Sequence, residues 1–155
     1  MVMRFYLDTE FNGHGGELIS MALVSELTYM GAGVRGSIEW YGARRIKSPI
    51  APWVAENVMP VLSTRQLSPE DFRSEFGTFI SRYENCQIIC DWHTDAEHFC
   101  AMLAGRDYGS SLDFPCMIRI LKTPPGEPAP AAIPHNALHD ARTLRDWHEA
   151  QLLAA

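Results

Sequence analysis

The residues best suited to chemistry lie near the start of the chain. In Arg4-Phe5-Tyr6-Leu7-Asp8-Thr9-Glu10-Phe11, apolar and aromatic residues run directly into two carboxylates spaced i, i+2. A β-strand repeats its side-chain direction every second residue, so Asp8 and Glu10 on a strand share one face. Two like charges held side by side are costly unless something positive sits between them, and a hard divalent cation is the usual solution. An isolated Asp-x-Glu also describes a solvated strand end, so the rest of the chain has to decide. Two further stretches contribute. Asp91 and Asp95 follow a short apolar run in Ile88-Ile89-Cys90-Asp91-Trp92-His93-Thr94-Asp95. His135 and Asp140 open an amphipathic segment in Pro134-His135-Asn136-Ala137-Leu138-His139-Asp140-Ala141.

Hydrophobic periodicity predicts the elements that must position these residues. Residues 3–7 read as a first strand, followed by the turn Asn12-Gly13-His14-Gly15-Gly16. Residues 17–25 are apolar at nearly every position, as a strand buried on both faces would be, and the short link makes an antiparallel hairpin with the first. Residues 26–36 carry three glycines and are less regular. In residues 37–41, Ile38 and Trp40 alternate with Glu39 and Tyr41, which predicts a half-exposed edge strand and completes a three-stranded antiparallel meander.

Helices then take over. Residues 52–62 predict a short helix with Val54 and Val58 inward and Trp53 a further inward candidate. Ser68-Pro69-Glu70-Asp71 supplies an N-cap, an early proline and early acids, and Phe72, Phe76, Phe79, Ile80 and Tyr83 follow as one apolar stripe. Residues 87–90 predict a short buried strand, and Thr94 with Glu97 matches a capping box opening a helix to about Leu103. Residues 115–121 predict a strand parallel to the first. A last helix over 136–153 would turn Leu138, Ala141, Leu144 and Leu152 inward. The expectation is one α/β domain over residues 1–155. Its mixed five-stranded sheet joins the antiparallel meander to two parallel strands, with helices on both faces. Ligands bind at the carboxyl ends of strands in such sheets, so Asp8–Glu10 and Asp91–Asp95 would meet.

Composition narrows the function classes. A formal charge of −6 argues against a protein that coats DNA through bulk electrostatics. It does not exclude a nuclease, because two divalent cations would offset most of that excess at the site itself. The apolar run from Leu18 to Val24 is interrupted by Ser20 and is too short to span a bilayer, so no membrane association is expected. The first residues read as a strand rather than a signal peptide, and Cys86, Cys90, Cys100 and Cys116 show neither a CxxC pair nor zinc-type spacing. The expectation is a cytoplasmic protein with reduced, buried cysteines. Residues 122–134 hold five of the ten prolines and predict a stiff loop ending at His135.

Taken together and in order, the three acidic stretches resemble the motifs of the DEDD superfamily of 3′–5′ exonucleases. The nearest likeness is its DEDDh branch, with RNase T, oligoribonuclease and polymerase proofreading domains. The stretch around Asp8 resembles the first motif, that around Asp95 a departing second motif, and His135 to Ala141 the third. Trp53-Val54-Ala55-Glu56-Asn57-Val58-Met59-Pro60 is similar to a segment of the small stand-alone bacterial exoribonucleases of this branch.

The resemblance implies an RNase H-like fold and two Mg²⁺ or Mn²⁺ ions bridged by Asp8, with Glu10, Asp95 and Asp140 completing their shells. It implies His135 as general base, a role histidine suits because its ordinary pKa is about 6.5. It favours Asp95 over Asp91 as the second-motif ligand and leaves Asp91 as a supporting group or nucleotide contact. Thr9 and Phe11 would touch the terminal nucleotide, with Phe11 alternatively in the core. Trp92 or His93 would stack on a base or cover the sheet end. Arg44, Arg45 and Lys47 either hold phosphates or form a solvated surface run. The implied substrate is the 3′ end of single-stranded nucleic acid, RNA ahead of DNA, and the implied assembly is a homodimer. The competing reading is a non-catalytic or polymerase-associated domain of the same type, against which the full set of acids argues.

Overall fold

In the computed structural model, which describes residues 2–29, 35–105 and 108–154, β1 (Arg4–Phe11) and β2 (Leu18–Ser25) form the antiparallel centre of a six-stranded mixed sheet. Asp8 stands opposite Ala22 and Glu10 opposite Ser20, and the register shifts between Glu10 and Phe11. Beyond β2 lies antiparallel β5 (Glu39–Arg44), and beyond that parallel β6 (Gln66–Leu67). On the other side of β1 run parallel β7 (Cys86–Cys90) and β8 (Cys116–Ile120), giving the order β6-β5-β2-β1-β7-β8. A separate hairpin pairs β3 (Thr28–Tyr29) with β4 (Arg35–Gly36).

The sheet thus has six strands where periodicity predicts five. The extra strand, β6, is two residues long and too short to show any alternation. With β6 outside it, β5 is not an edge, and it begins at Glu39 rather than residue 37. The first strand also runs past the predicted end at Leu7, because β2 pairs with it as far as Phe11 and carries the carboxylates on regular extended backbone.

Period-two alternation sends Phe5 and Leu7 to one face of the sheet and Tyr6 to the other. The first face packs under α2 (Pro69–Ile80) and α3 (His93–Ala104), where Phe72, Phe76, Phe99 and Met102 meet Phe5, Leu7, Met21, Leu23 and Ile88. Each such buried side chain stabilises the fold by about 1.5–3 kcal/mol. The second face packs under α4 (Ala137–Ala154), with Leu144 against Tyr6 and Ile89 and with Ala137 and Ala141 against Ala22 and Val24. Helices therefore cover both faces, as expected. Small residues at that second contact bring the start of α4 close to the carboxylates of β1. A hydrogen bond of 3.0 Å between Tyr6 Oη and His148 Nδ1 fastens the helix farther along.

Three helix expectations change. The helix predicted over 52–62 is α1 (Pro52–Asn57) followed by a 3-10 turn, Met59–Val61, because Pro60 has no N–H to continue the ladder. Val54 and Val58 are buried, but Trp53 is 55% exposed. α3 begins at His93 with Trp92 as its cap residue and no side-chain cap bond, so Thr94 lies inside the helix and the capping box is not used. Leu152, expected inward, is exposed near the end of α4. Ser68 does cap α2, accepting a hydrogen bond from Asp71 N. All four cysteines are free, but Cys100 is exposed and Cys116 only half-buried, contrary to the expectation that all are buried. Among the described residues no helix is long and apolar enough to cross a membrane.

Candidate active site

Asp8 and Glu10 lie on the α4 face of β1, where the start of α4 brings in Asp140. One carboxylate oxygen of each of Asp8, Glu10 and Asp140 lies within 4.8 Å of the other two. β7 ends at Cys90, immediately before Asp91, and Asp95 sits in the first turn of α3. Asp8, Asp91 and Asp95 form a second triplet with the same 4.8 Å limit, so Asp8 belongs to both. Its Oδ2 is sealed from solvent and has no hydrogen-bond partner among the described residues. Thr9 points the opposite way from its two neighbours, and there its backbone N–H (3.1 Å) and hydroxyl (2.6 Å) both donate to Asp95 Oδ1. These bonds hold Asp95, itself only 3% exposed, against the strand.

This crowding makes every acid reluctant to ionise. Burial is the first cause at all five. It lifts Asp8 well above the usual carboxylate range, and the charges of Asp95, Glu10, Asp140 and Asp91 add to the effect. Burial, then Asp140 and Asp95, push Glu10 up to about 8. Asp95 is pushed up to about 7, with the Thr9 hydrogen bonds pulling against burial and the charge of Asp91. Asp91 is raised by burial, and Asp140 is raised by burial against the relief given by His135 and nearby backbone N–H groups. Among the described residues, only Asp140 of these five gains relief from nearby positive charge, and that relief does not offset its burial.

The approach to α4 is fixed by Asn136, which is fully buried. Its Oδ1 accepts from the backbone N–H of Leu138 (3.1 Å) and His139 (3.4 Å), an N-cap arrangement. Its Nδ2 donates to Val61 O (2.7 Å) and Ser63 Oγ (3.2 Å), tying the helix to the segment after α1. The preceding residue, His135, takes a φ of 61°, a left-handed conformation that costs a non-glycine residue about 1–2 kcal/mol and is found disproportionately at functional sites. Its exposed ring meets Trp53 edge-on, with centroids 4.9 Å apart.

Two clefts open on either side of the acids and share Asp8 and Asp91. The first, about 380 Å³, is walled by Phe11, Trp53 and Trp92, with Thr9, Glu10, Gly13, His14 and Asp95 at its floor and rim. The second, about 340 Å³, holds Asp140 and His135 beneath residues 127–131 and Pro134 of the proline-rich loop, which has no helix or strand. The wall carrying Trp53 is set by the turn after β1. Asn12 accepts from Ala51 N (2.8 Å) and donates to Pro49 O (2.8 Å), and Gly16 must be glycine because a Cβ there would lie 2.0 Å from Asn12 O.

Compared with known families and curated proteins, the chain matches no family model and no curated protein.

The site's own chemistry says what it suits. Both triplets offer carboxylate oxygen alone, with no histidine or cysteine, which matches hard cations such as Mg²⁺ or Mn²⁺ rather than zinc. Asp8, the residue the two triplets share, has one oxygen, Oδ2, that is sealed from solvent and finds no donor among the described residues, which is what such an ion would answer. The acids predicted from sequence, Asp8, Glu10, Asp95 and Asp140, thus converge, with His135 across the second cleft. Asp91 joins them as directly as Asp95 does. Phe11 and Trp92 stand on the wall of the first cleft, Trp92 57% exposed and Phe11 with its ring 5.1 Å from that of His98. Thr9, expected at the terminal nucleotide, spends both its backbone N–H and its hydroxyl on Asp95 Oδ1. Arg44 donates to Leu18 O (2.9 Å) and to the Tyr108 hydroxyl (2.9 Å). Neither Arg44, Arg45 nor Lys47 lines either cleft, and among the described residues no other lysine or arginine does.

Sequence reading missed two residues. Trp53 is only a further inward candidate in the sequence, because periodicity over one short helix does not separate it from its neighbour Val54, and its place on the cleft wall goes unread. The capping role of Asn136 was readable, since an asparagine directly before a helical stretch is a preferred N-cap.

Proposed function

We propose that this protein is a two-metal 3′–5′ exonuclease with an RNase H-like fold, acting on single-stranded nucleic acid and on RNA ahead of DNA. The reading rests above all on the two carboxylate triplets that share Asp8. Asp8, Glu10 and Asp140 would hold one Mg²⁺ or Mn²⁺, and Asp8 with Asp95 would hold the other. When bound, such a pair of ions would make hydroxide available near neutral pH and neutralise charge on the leaving oxygen.

The chain supplies the rest. His135, at the mouth of the second cleft, accepts through its imidazole the proton of the attacking water. Phe11, Trp53 and Trp92 offer aromatic faces to the last bases, and stacking tolerates any base, as stepwise digestion requires. The proline-rich loop closes over the scissile phosphate and limits water. The 3′ direction, the preference for RNA and a homodimer follow from the motif resemblance, a cytoplasmic location from the cysteine pattern and the strand-like first residues, and a sedimentation mass of one chain would refute the dimer.

The direct test is digestion of single-stranded RNA labelled at either end, in Mn²⁺, with and without EDTA. The 3′ label should appear at once as mononucleotide, the 5′ label as a shortening ladder, and EDTA should stop both. No digestion in Mn²⁺, or digestion indifferent to EDTA, would refute the reading.

A further inference from the structure

We infer that Asp91 is a fifth metal-binding carboxylate, so that both cations are held by the protein before any nucleic acid arrives. The inference rests on the two-metal reading and adds to it. With Glu10 and Asp140 committed to the first triplet, four acids leave the second ion only Asp8 and Asp95. Asp95 is further limited, because its Oδ1 already accepts two hydrogen bonds from Thr9. Mg²⁺ held by one or two carboxylates usually depends on substrate phosphates for the rest of its shell.

Asp91 changes that count. It immediately follows the last residue of β7, half-buried, and puts an oxygen within 4.8 Å of both Asp8 and Asp95. It also lines both clefts, whereas Asp95 lines only the aromatic one. Among the described residues its carboxylate has no hydrogen-bonding neighbour beyond its own backbone N–H, and no lysine or arginine lines either cleft to neutralise it. Independently, Asp8, which belongs to both triplets, has its Oδ2 sealed from solvent without a donor among the described residues. A cation between Asp8, Asp91 and Asp95 answers both observations, while a merely supporting role for Asp91 answers neither.

The test counts ions on metal-stripped protein without nucleic acid, by calorimetric titration with Mn²⁺ and by the electron paramagnetic resonance signal of the free ion. Wild type should take up two Mn²⁺ per chain. Asp91→Asn should keep one and bind the second at least about 10–100-fold more weakly. Adding a non-hydrolysable phosphorothioate trinucleotide should restore that second ion in the variant. Asp91→Glu, which keeps the charge on a longer stem, should retain two. A wild type that binds one ion until the oligonucleotide is added would overturn the inference and leave the exonuclease reading standing. So would an Asp91→Asn protein that binds two with unchanged affinity. A wild type that binds none would overturn both.

Discussion

The Thr9 hydroxyl, 2.6 Å from Asp95 Oδ1, shows how a residue outside the acidic set governs it. Alternation along β1 makes Asp8 and Glu10 legible in the sequence as a pair, because period two needs no tertiary information. The partner of Thr9 is 86 residues away, so the same alternation says only that Thr9 faces elsewhere. Thr9→Val keeps shape and burial but removes the hydroxyl donor, leaving Asp95 its backbone bond. Second-layer changes at metal sites typically cost 10–100-fold, so the digestion rate should fall by about that factor with little change in melting temperature. An unchanged rate would make the bond incidental. His135 separates base from ligand, since it belongs to neither triplet. His135→Ala should reduce turnover by about 10²–10⁴-fold while Mn²⁺ affinity stays nearly intact. Loss of both together, seen by calorimetry beside a kinetic assay, would rule out the base role.

The elements that carry these residues were legible where their pattern is long and regular, as in β2 and α2. They were obscure where a few residues suffice, as in β6 and in the true start of α3 at His93. The start of α4 is the consequential case. Asn136 both caps the helix and clamps it to Val61 and Ser63, so the placement of His135 and Asp140 depends on one buried amide. Asn136→Ala removes the cap and strands polar groups, at a cost of about 2–3 kcal/mol. The melting temperature should fall by about 5–10 °C. The surviving folded protein should digest RNA more slowly than wild type, and activity equal to wild type below the melt would show that α4 is placed without the clamp. The neighbouring proline-rich loop lacks helix or strand yet roofs the second cleft. Its non-proline amides should exchange quickly in the free protein and slow when a non-hydrolysable oligonucleotide is bound. Equal exchange in both states would make it an ordinary surface loop.

At the scale of the whole molecule, the α/β layering and the convergence of Asp8 with Asp91 and Asp95 followed from the order of apolar runs. What that order did not convey was how far the site's acids would be buried. A net charge of −6 tells little about stability when spread over a surface, but five carboxylates gathered between β1, β7, α3 and α4 are another matter. Glu10 is held up to about 8 and Asp95 up to about 7, mainly by burial, against about 4 for such groups in an unfolded chain. Between about pH 4 and 8 the native state therefore binds more protons than the unfolded one. The stability these acids contribute is fully present at the low end of that window and is lost as pH rises. Metal-stripped protein should consequently melt lower at pH 8 than at pH 5.5, by about 5–10 °C for about 2–3 kcal/mol. Most soluble proteins lose stability towards the acid side, so the sign itself is diagnostic. Millimolar Mg²⁺ should flatten the dependence by raising the pH 8 melt, because an ion that binds only the folded state favours it by mass action. A metal-stripped protein whose melt rises from pH 5.5 to 8, or one whose pH 8 melt Mg²⁺ leaves unmoved, would mean that the carboxylates are not in electrostatic conflict and do not wait for a cation.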